Sequence, residues 1–316
     1  MCKVNPLFSD YGQHDAFELL LTLFSGISTE QKDRDSTTFS ETFSSTVSSS
    51  FSCMVCATVT SRPEQLVCFS LPLFNSKVSK RHHLIRTSLP EDFDFSDLAL
   101  PPPRPFHHRF NDLLVLFNYF CHPELLTDDS QRISCKVCTI KERQEQAKVI
   151  LQNESLHSPS MVQKARDVLS QELPSSNDSD DENCPSIPSK RLRKRPAIKQ
   201  FMLTNQSFPP VLCFHIKRFK SNGVSYVKDN SEVEFPLSFS STDLNSEIFT
   251  ERCVPFEYKL VSIVCHSGCL NYGHYIAYSR HVLSGDWYYF SDESFREVSI
   301  DSVLQCQPYL LFYYRD

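Results

Sequence analysis

One stretch near the carboxyl end of the chain decides the fold: Ser262-Ile263-Val264-Cys265-His266-Ser267-Gly268-Cys269-Leu270-Asn271-Tyr272-Gly273-His274-Tyr275-Ile276-Ala277-Tyr278-Ser279-Arg280. An apolar run ends at a loop of small residues, and a second apolar run starts at Gly273. This pattern predicts two strands joined by a loop. The next run, Trp287–Phe290, predicts a third strand that pairs with the second as a hairpin.

The same pattern of short apolar runs extends over the chain from about residue 198. Further runs lie at Val211–Ile216, Tyr258–Cys265 and Tyr309–Tyr313, and turn residues such as Asn222-Gly223 and Ser284-Gly285-Asp286 separate the runs. Runs of this length between turn signals predict a predominantly antiparallel sheet.

His274 is the candidate catalytic residue of this sheet, because it stands where the second predicted strand begins. A histidine there has a rigid scaffold behind it and an open loop before it, which suits a general base. The predicted hairpin brings Ser291 and Asp292 near it, and either could accept from one ring nitrogen and fix the tautomer. The alternative is a structural histidine at a sheet edge, since the spacing alone identifies no nucleophile.

Two helices are predicted outside the sheet. Apolar residues recur at helical spacing in the amino-terminal region, namely at Ala16, Leu19, Leu20, Leu23 and Phe24. Asp10 is a candidate cap for this helix, and Gly26 is a candidate end. A second helical pattern follows a proline-rich loop, at Phe110, Leu113, Leu114, Phe117 and Phe120. Residues 36–52, rich in Ser and Thr with interspersed Phe, fit either a disordered linker or a strand leading into a metal site.

Four of the thirteen cysteines form two CxxC pairs: Cys53 with Cys56, and Cys135 with Cys138. Two such pairs can make a tetrahedral, all-thiolate zinc site, and four protein ligands make its role structural. The 78 residues between the pairs, positions 57 to 134, place them on different hairpins. Unrelated thiols and a redox CxxC remain as alternatives.

Residues 152–197 are predicted to be a disordered insertion. They contain the acidic run Ser175–Glu182, whose composition does not favour packing, and the basic run Lys190–Arg195. The basic run fits either a nuclear-import signal or part of a solvated, self-neutralising linker.

Composition excludes several classes of protein. The chain of 316 residues has a formal charge of -6, which argues against a nucleic-acid binder. No apolar run approaches the ~20 residues of a membrane helix, so we expect no membrane partner. The first residues, from Met1 to Pro6, lack the apolar core of a signal peptide. We therefore expect a cytoplasmic or nuclear protein, or both, with cysteines that are not in disulfides.

Four blocks resemble the ubiquitin-specific proteases, a family of papain-like cysteine proteases also called ubiquitin carboxyl-terminal hydrolases. The block Gly273–Tyr278, with 287–292 and 309–313, resembles the family's His box. Residues 209–219 are similar to its P-x-x-L-x-x-x-L-x-R-F strand, and residues 8–20 resemble its Q-Q-D-A-x-E-F-L helix. The two CxxC pairs stand where the family has its zinc ribbon.

The resemblance implies an α+β, papain-like fold with fingers, palm and a partial thumb, in which residues 1–316 form one catalytic domain that is incomplete at its amino end. It implies thiol-dependent hydrolysis of (iso)peptide bonds at the carboxyl terminus of ubiquitin, with ubiquitin and ubiquitinated proteins as partners. His274 maps onto the base. Ser291 maps onto the third catalytic position, where Asp or Asn is usual, and Asp292 either shares the polarising role or takes it over. Zinc, bound by the four cysteines, would be a structural cofactor.

The chain departs from the family at the nucleophile. The block G-x-x-N-x-G-N-T-C-[FY]-x-N is absent, and the context of Cys2 does not match it. Because a base without a thiolate cannot form an acyl-enzyme, we expect the chain to be inactive alone. It could be a fragment or mispredicted gene model of an active enzyme, a short pseudoprotease that binds ubiquitin, or a protein in which Cys265 or Cys269 substitutes. A zinc-ribbon interaction protein is a further class, against which the His box weighs.

Overall fold

The chain has the α+β architecture that the resemblance implies. The computed structural model describes residues 6–9, 12–33, 38–73, 111–173, 192–221, 226–269 and 272–315. The α-helices are α1 (Ala16–Asp33), α2 (Thr38–Phe43), α3 (Leu113–Phe120), α4 (Lys136–Gln152), α5 (Pro159–Leu169) and α6 (Ile300–Leu304). The strands are β1 (Ser45–Cys53), β2 (Val59–Leu66), β3 (Phe69–Pro72), β4 (Glu124–Leu126), β5 (Ile133–Cys135), β6 (Arg193–Arg195), β7 (Ala197–Leu203), β8 (Val211–Lys217), β9 (Phe219–Ser221), β10 (Tyr226–Lys228), β11 (Ser238–Ser240), β12 (Glu257–Gly268), β13 (Gly273–Arg280), β14 (Trp287–Ser291), β15 (Ser294–Val298) and β16 (Pro308–Arg315).

The central sheet confirms the predicted antiparallel arrangement of the carboxyl-terminal half. Its strand order is β15-β14-β13-β12-β16-β8-β3, with β11 paired to β12, and the pairing of β3 with β8 is parallel. Strand β16 begins with four buried residues, and Ile263 of β12 and Leu311 of β16 are fully buried. Burial of apolar side chains along these strands supplies most of the driving force for folding.

Helix α3 covers this sheet and fills its core with an aromatic ring. The Phe117 ring lies 5.0 Å from Phe214 of β8 and 4.9 Å from Phe69 of β3, both edge to face. Asp112 caps the helix, because its Oδ1 accepts hydrogen bonds from the backbone N–H groups of Leu114 and Val115. The predicted second helix is therefore present, although Phe110 lies outside the described residues.

A smaller sheet of order β2-β1-β7-β4 carries the first metal-binding pair at its end. The segment 36–52, which allowed two interpretations, forms α2 over 38–43 and β1 from Ser45 onward. The strand interpretation is therefore correct for the part that leads into the metal site, and the linker interpretation is wrong for the described residues. Alternate residues of β1 point to one side, and Val47 and Ser49 there are fully buried. This period-two burial overrides the disorder-like composition of the segment.

Helix α1 is present but differs from its prediction at both ends. Its cap is Asp15, whose Oδ1 accepts from the backbone of Phe17 at 2.8 Å and of Glu18 at 3.0 Å; Asp10 lies outside the described residues. The predicted end at Gly26 is wrong, since the helix continues to Asp33. A glycine ends a helix when it adopts positive φ, and Gly26 does not. Inside a helix it costs only about 1 kcal/mol relative to alanine.

The predicted disordered insertion over 152–197 needs correction where the structure describes it. Helix α5 lies inside that range, begins at the Ser158 cap with Pro159 in its first turn, and packs on α4. Buried Ala165 and Ala147 show why the two helices can approach closely. Sequence reasoning underestimated the capping signal. The acidic run 175–182 lies outside the described residues.

Candidate active site and metal centre

The β12–β13 hairpin places His274 beside a tight loop. Ser267 pairs with His274, and Gly268 pairs with Gly273. Gly268 has a φ of 100°, and a side chain there would meet the Tyr272 carbonyl oxygen, so the turn requires glycine. His274 is therefore the second residue of β13, at the mouth of a strand as the sequence predicts.

Ser291 contacts His274 directly. Ala277 of β13 lies opposite Phe290 of β14, so Ser291 comes onto the same face of the sheet as His274. Diagonal neighbours on one face are within reach of a long side chain. The His274 Nε2 atom lies 2.8 Å from Ser291 Oγ, which is a good hydrogen-bonding distance.

Asp292 lies farther from the ring. It occupies the β14–β15 turn with a φ of 48°, and its Oδ2 is 3.9 Å from His274 Nε2. Its side chain is 81% exposed, so water screens its charge from the ring. The structure thus brings all three predicted residues together, and among them Ser291 makes the hydrogen bond to His274. Their catalytic roles stay a prediction.

This hydrogen bond has a consequence for the chemistry of the ring. When Nε2 carries the proton, it donates to Ser291 Oγ, and the lone pair of Nδ1 is then free to accept a proton. The His274 side chain is 45% exposed, so a reacting group can reach it. The arrangement can therefore act as a general base whose ring is held by a hydroxyl.

Cys265 and Cys269 are the candidate substitute nucleophiles near this site. In the part of the chain that the structure describes, no thiol lies within hydrogen-bonding distance of the His274 ring. Cys265 is buried, and a hydrogen bond with Cys306 together with burial raises the pKa of its thiol. A raised pKa lowers the thiolate fraction, which makes Cys265 a poor nucleophile. Cys269 is exposed, and Cys2 lies outside the described residues.

Two residues of the amino-terminal block also reach the site, and sequence reasoning did not predict these contacts. Gln13 exchanges two hydrogen bonds with the backbone of Gly273. Asp15 Oδ2 accepts from the hydroxyls of Tyr275 and Tyr309. The position of Asp15 before an apolar helical run is a recognisable cap signal, whereas nothing in the sequence marks the contact of Gln13.

A buried histidine, His215 of β8, packs between α1 and the central sheet near this site. The His215 ring stacks on Phe17 of α1 at 3.9 Å, and its Nδ1 lies 3.0 Å from Ser70 Oγ. Burial lowers the pKa of His215 to about 4, an effect that Asp15 opposes. His215 is therefore neutral at physiological pH and serves packing between α1 and the central sheet.

The four predicted metal ligands converge on one point. The Sγ atoms of Cys53 and Cys138 are 3.7 Å apart, those of Cys56 and Cys135 are 3.6 Å apart, and all four lie within 4.8 Å of one another. A tetrahedral ion with metal–sulfur bonds of about 2.3 Å requires sulfur–sulfur edges of about 3.8 Å. A disulfide requires about 2.05 Å, so these sulfurs are not bonded to each other. The cluster could hold a metal ion.

Hydrogen bonds and burial divide the four thiols of the cluster: one pKa is lowered and two are raised. The backbone N–H of Cys138 donates to Cys135 Sγ at 3.4 Å. A hydrogen bond from Cys135 lowers the pKa of Cys53, the same contact raises the pKa of Cys135, and burial raises the pKa of Cys138. Three of the four cysteines are buried, and Cys56 is half-buried. A buried set of thiols that share protons in this way is suited to exchange them for a cation.

The basic run has partners at one end. Arg193 and Arg195 of β6 both form ion pairs with Glu142 of α4. Lys190 and Arg191 lie outside the described residues. Nuclear import through the run 190–195 stays a prediction. None of the described helices is both long and apolar enough to cross a bilayer.

Comparison with known proteins identifies the family. The sequence model of the family named ubiquitin carboxyl-terminal hydrolase matches residues 1–313. The chain therefore belongs to the ubiquitin carboxyl-terminal hydrolase family. Over 120 residues it is 38% identical to ubiquitin carboxyl-terminal hydrolase 4 of Rattus norvegicus, a match that covers 38% of this chain and 12% of that protein.

Solved structures show the same fold. One is the SAGA DUB module of Ubp8, Sgf11, Sus1 and Sgf73 bound to monoubiquitin, with a TM-score of 0.59 and 21% identity over 100% of this chain and 51% of the other. Another is that module bound to ubiquitin aldehyde, with a TM-score of 0.59 and 19% identity over 100% of this chain and 52% of the other. The chain thus spans about half the length of the solved chains it matches.

Proposed function

We propose that this chain serves deubiquitination, the thiol-dependent hydrolysis of bonds at the carboxyl terminus of ubiquitin. Its family supports this proposal, and so do the solved neighbours that hold ubiquitin. The observation that carries it is the 2.8 Å contact between His274 Nε2 and Ser291 Oγ. This contact leaves Nδ1 of an accessible ring free to serve as the base.

In the proposed reaction His274 makes two proton transfers in each half: it accepts one proton and then donates one. Its Nδ1 accepts the proton of a cysteine thiol, which the described part of the chain does not place beside the ring. The thiolate sulfur attacks the carbonyl carbon and forms a thioester as the carbon–nitrogen bond breaks, and the ring then protonates the leaving lysine amine. In the second half the ring takes a proton from water, whose oxygen attacks the thioester, and returns it to the departing sulfur. Ser291 holds the ring throughout by accepting from Nε2–H. Because a hydroxyl carries no charge, it stabilises the imidazolium less than a carboxylate would.

A second candidate function is ubiquitin binding without cleavage. It is supported by the absence of any cysteine thiol within hydrogen-bonding distance of His274 in the described part of the chain. Here the sheet and the metal-bearing end of β1 would still bind ubiquitin. His274 would have no thiol to deprotonate.

Zinc is the proposed ion of the four-cysteine cluster. Soft thiolates select zinc among the common cellular ions, and the observed sulfur separations match its tetrahedral geometry. With Cys53, Cys56, Cys135 and Cys138 as ligands, no position is left for water, so zinc would only stabilise the fold. It would join β1 to the start of α4.

The experiment that tests the function is reaction with ubiquitin carrying a carboxyl-terminal vinyl sulfone. His274→Ala removes the base, Cys269→Ala removes the exposed thiol near it, and His281→Ala is a matched control on an exposed turn. An adduct that forms in the wild type and in His281→Ala, and is lost in His274→Ala, supports hydrolysis and overturns the expectation that the chain is inactive alone. Loss in Cys269→Ala as well would identify the nucleophile. Ubiquitin binding without an adduct supports the second candidate, and the absence of both refutes the two proposals.

A further inference from the structure

We infer that Gln13 is a positioning residue for the base: its side-chain amide fixes the peptide groups of Gly273 and so sets where His274 stands. The inference rests on the proposed function of His274. The Gly273 N–H donates to Gln13 Oε1 at 2.8 Å, and Gln13 Nε2 donates to the Gly273 carbonyl at 3.1 Å. Both bonds end on the residue directly before His274, although 260 positions separate the partners.

Gln13 satisfies backbone groups that the neighbouring strand does not reach. β14 pairs with β13 only from Ala277 to Arg280, so the first four residues of β13 lack this partner. The amide of Gln13 offers one donor and one acceptor, as a residue of an adjacent strand would. Without it the start of β13 would be paired on one side only, and strand ends held on one side fray.

The segment of Gln13 is itself firmly held. Asp15 caps α1 with Oδ1, while its Oδ2 accepts from Tyr275 and Tyr309. Burial raises the pKa of Tyr275 to about 12, so its hydroxyl stays protonated and can donate. Gln13 and Asp15 therefore form hydrogen bonds with the two residues next to His274 in the chain: Gln13 with Gly273, and Asp15 with Tyr275.

Gly273 is also confined on another side, by His266. A Cβ atom built on Gly273 would lie 2.0 Å from His266 Nε2, so this ring fills the space that a side chain would need. Because the His266 ring occupies this space, position 273 accommodates only glycine, which has no Cβ atom. The ring also limits movement of the backbone next to His274. Displacement of a catalytic group by about 1 Å can cost on the order of a hundredfold in rate, so such confinement has catalytic value.

The inference is tested on the whole chain by NMR with ¹⁵N-labelled histidine and ¹⁵N-labelled glycine. Gln13→Met removes both hydrogen bonds with little change in size, and Gln13→Glu keeps the acceptor for the Gly273 N–H but loses the donor. Gln163→Met makes the same chemical change on the exposed face of α5 and is the control. Gln13 is exposed, so its variants should fold. Two quantities are measured: the tautomer ratio of His274, and the exchange rate of the Gly273 amide.

In Gln13→Met we expect the Gly273 amide to exchange about tenfold faster, the effect of one lost hydrogen bond. We expect His274 to change from one dominant tautomer to a mixture, while His281 is unaffected. Gln13→Glu should lie between wild type and Gln13→Met. An unchanged His274 ring in Gln13→Met, or an equal change in Gln163→Met, would overturn the inference. No ubiquitin is used, so a negative result here is independent of a negative vinyl sulfone result.

Discussion

Replacing Arg218 with methionine should strongly destabilise the central sheet. Arg218 is 2% exposed and follows β8. Its guanidinium donates to four acceptors: the carbonyls of Pro308, Asp229 and Ser231 and the side chain of Gln307, all at 2.9 to 3.1 Å. It thereby ties the end of β8 to the start of β16 and to the segment after β10.

The size of the effect follows from the acceptors left behind. A buried acceptor without a partner costs about 1–3 kcal/mol. Three of the four Arg218 contacts are half-buried, so about 1 kcal/mol applies to each; with about 2 kcal/mol for the buried Pro308 contact, the sum is about 5 kcal/mol. Arg218→Lys keeps a charge but loses the fork geometry, so it should cost about half as much. Typical single substitutions cost about 1 kcal/mol.

The assay is urea unfolding followed by the fluorescence of Trp287, the single tryptophan, which is buried in β14. The matched control is Arg296→Met, because Arg296 is an exposed arginine whose described contact is with the face of Tyr289. We expect a loss of about 1 kcal/mol or less for the control. A loss below about 1 kcal/mol for Arg218→Met would refute the reasoning that these four hydrogen bonds join the strands.

Three further predictions concern the metal centre, the surface of α1 and pH. Cys135→Ser should abolish stoichiometric zinc binding, measured by mass spectrometry of the metal, and lower the melting temperature. The control Cys253→Ser should leave zinc bound, and zinc retained in Cys135→Ser would contradict the proposed site. Leu19 and Leu23 lie on one face of α1 at 37% and 41% exposure. Changing both to lysine should therefore reduce self-association, measured by light scattering. Unchanged scattering would contradict the idea that this apolar face drives self-association. Because burial lowers the pKa of His215, this histidine takes up a proton at a higher pH in the unfolded chain than in the folded chain. Its contribution to the free energy of unfolding is therefore fully present above the unfolded pKa of 6.5 and is lost as the pH drops toward about 4. The loss of unfolding free energy should reach about 3 kcal/mol and be absent in His215→Phe. Urea unfolding at several pH values measures it, and an equal dependence of the unfolding free energy on pH in the two proteins would contradict the prediction.

Local patterns predicted the parts of the site that depend on short spacing. Each CxxC pair is a local motif that predicts two thiolate ligands for one ion, and the four sulfur atoms of the two pairs lie within 4.8 Å of one another. His274 stands at the start of its strand, because the apolar run that starts at Gly273 after a loop of small residues indicates the strand by itself. The same pattern could place Ser291 and Asp292 near the ring, since both follow the next predicted strand.

Details that depend on backbone geometry could not be predicted. Ser291 and Asp292 are adjacent in sequence, and the turn after β14, with its positive φ at Asp292, decides which of them bonds His274. The contact of Gln13 with Gly273 joins residues 260 positions apart, and no periodicity reports such a side-chain contact. Helix α5 was missed because polar composition was given more weight than the Ser158-Pro159 cap.

The most direct test of the account is binding of labelled ubiquitin to this chain by fluorescence anisotropy. If His274 faces the carboxyl terminus of ubiquitin, binding should be saturable and about tenfold or more weaker for ubiquitin that lacks its terminal Gly-Gly. Equal binding of the two forms, or no binding of either, would contradict the claim that this chain presents His274 to the bond that a deubiquitinase cleaves.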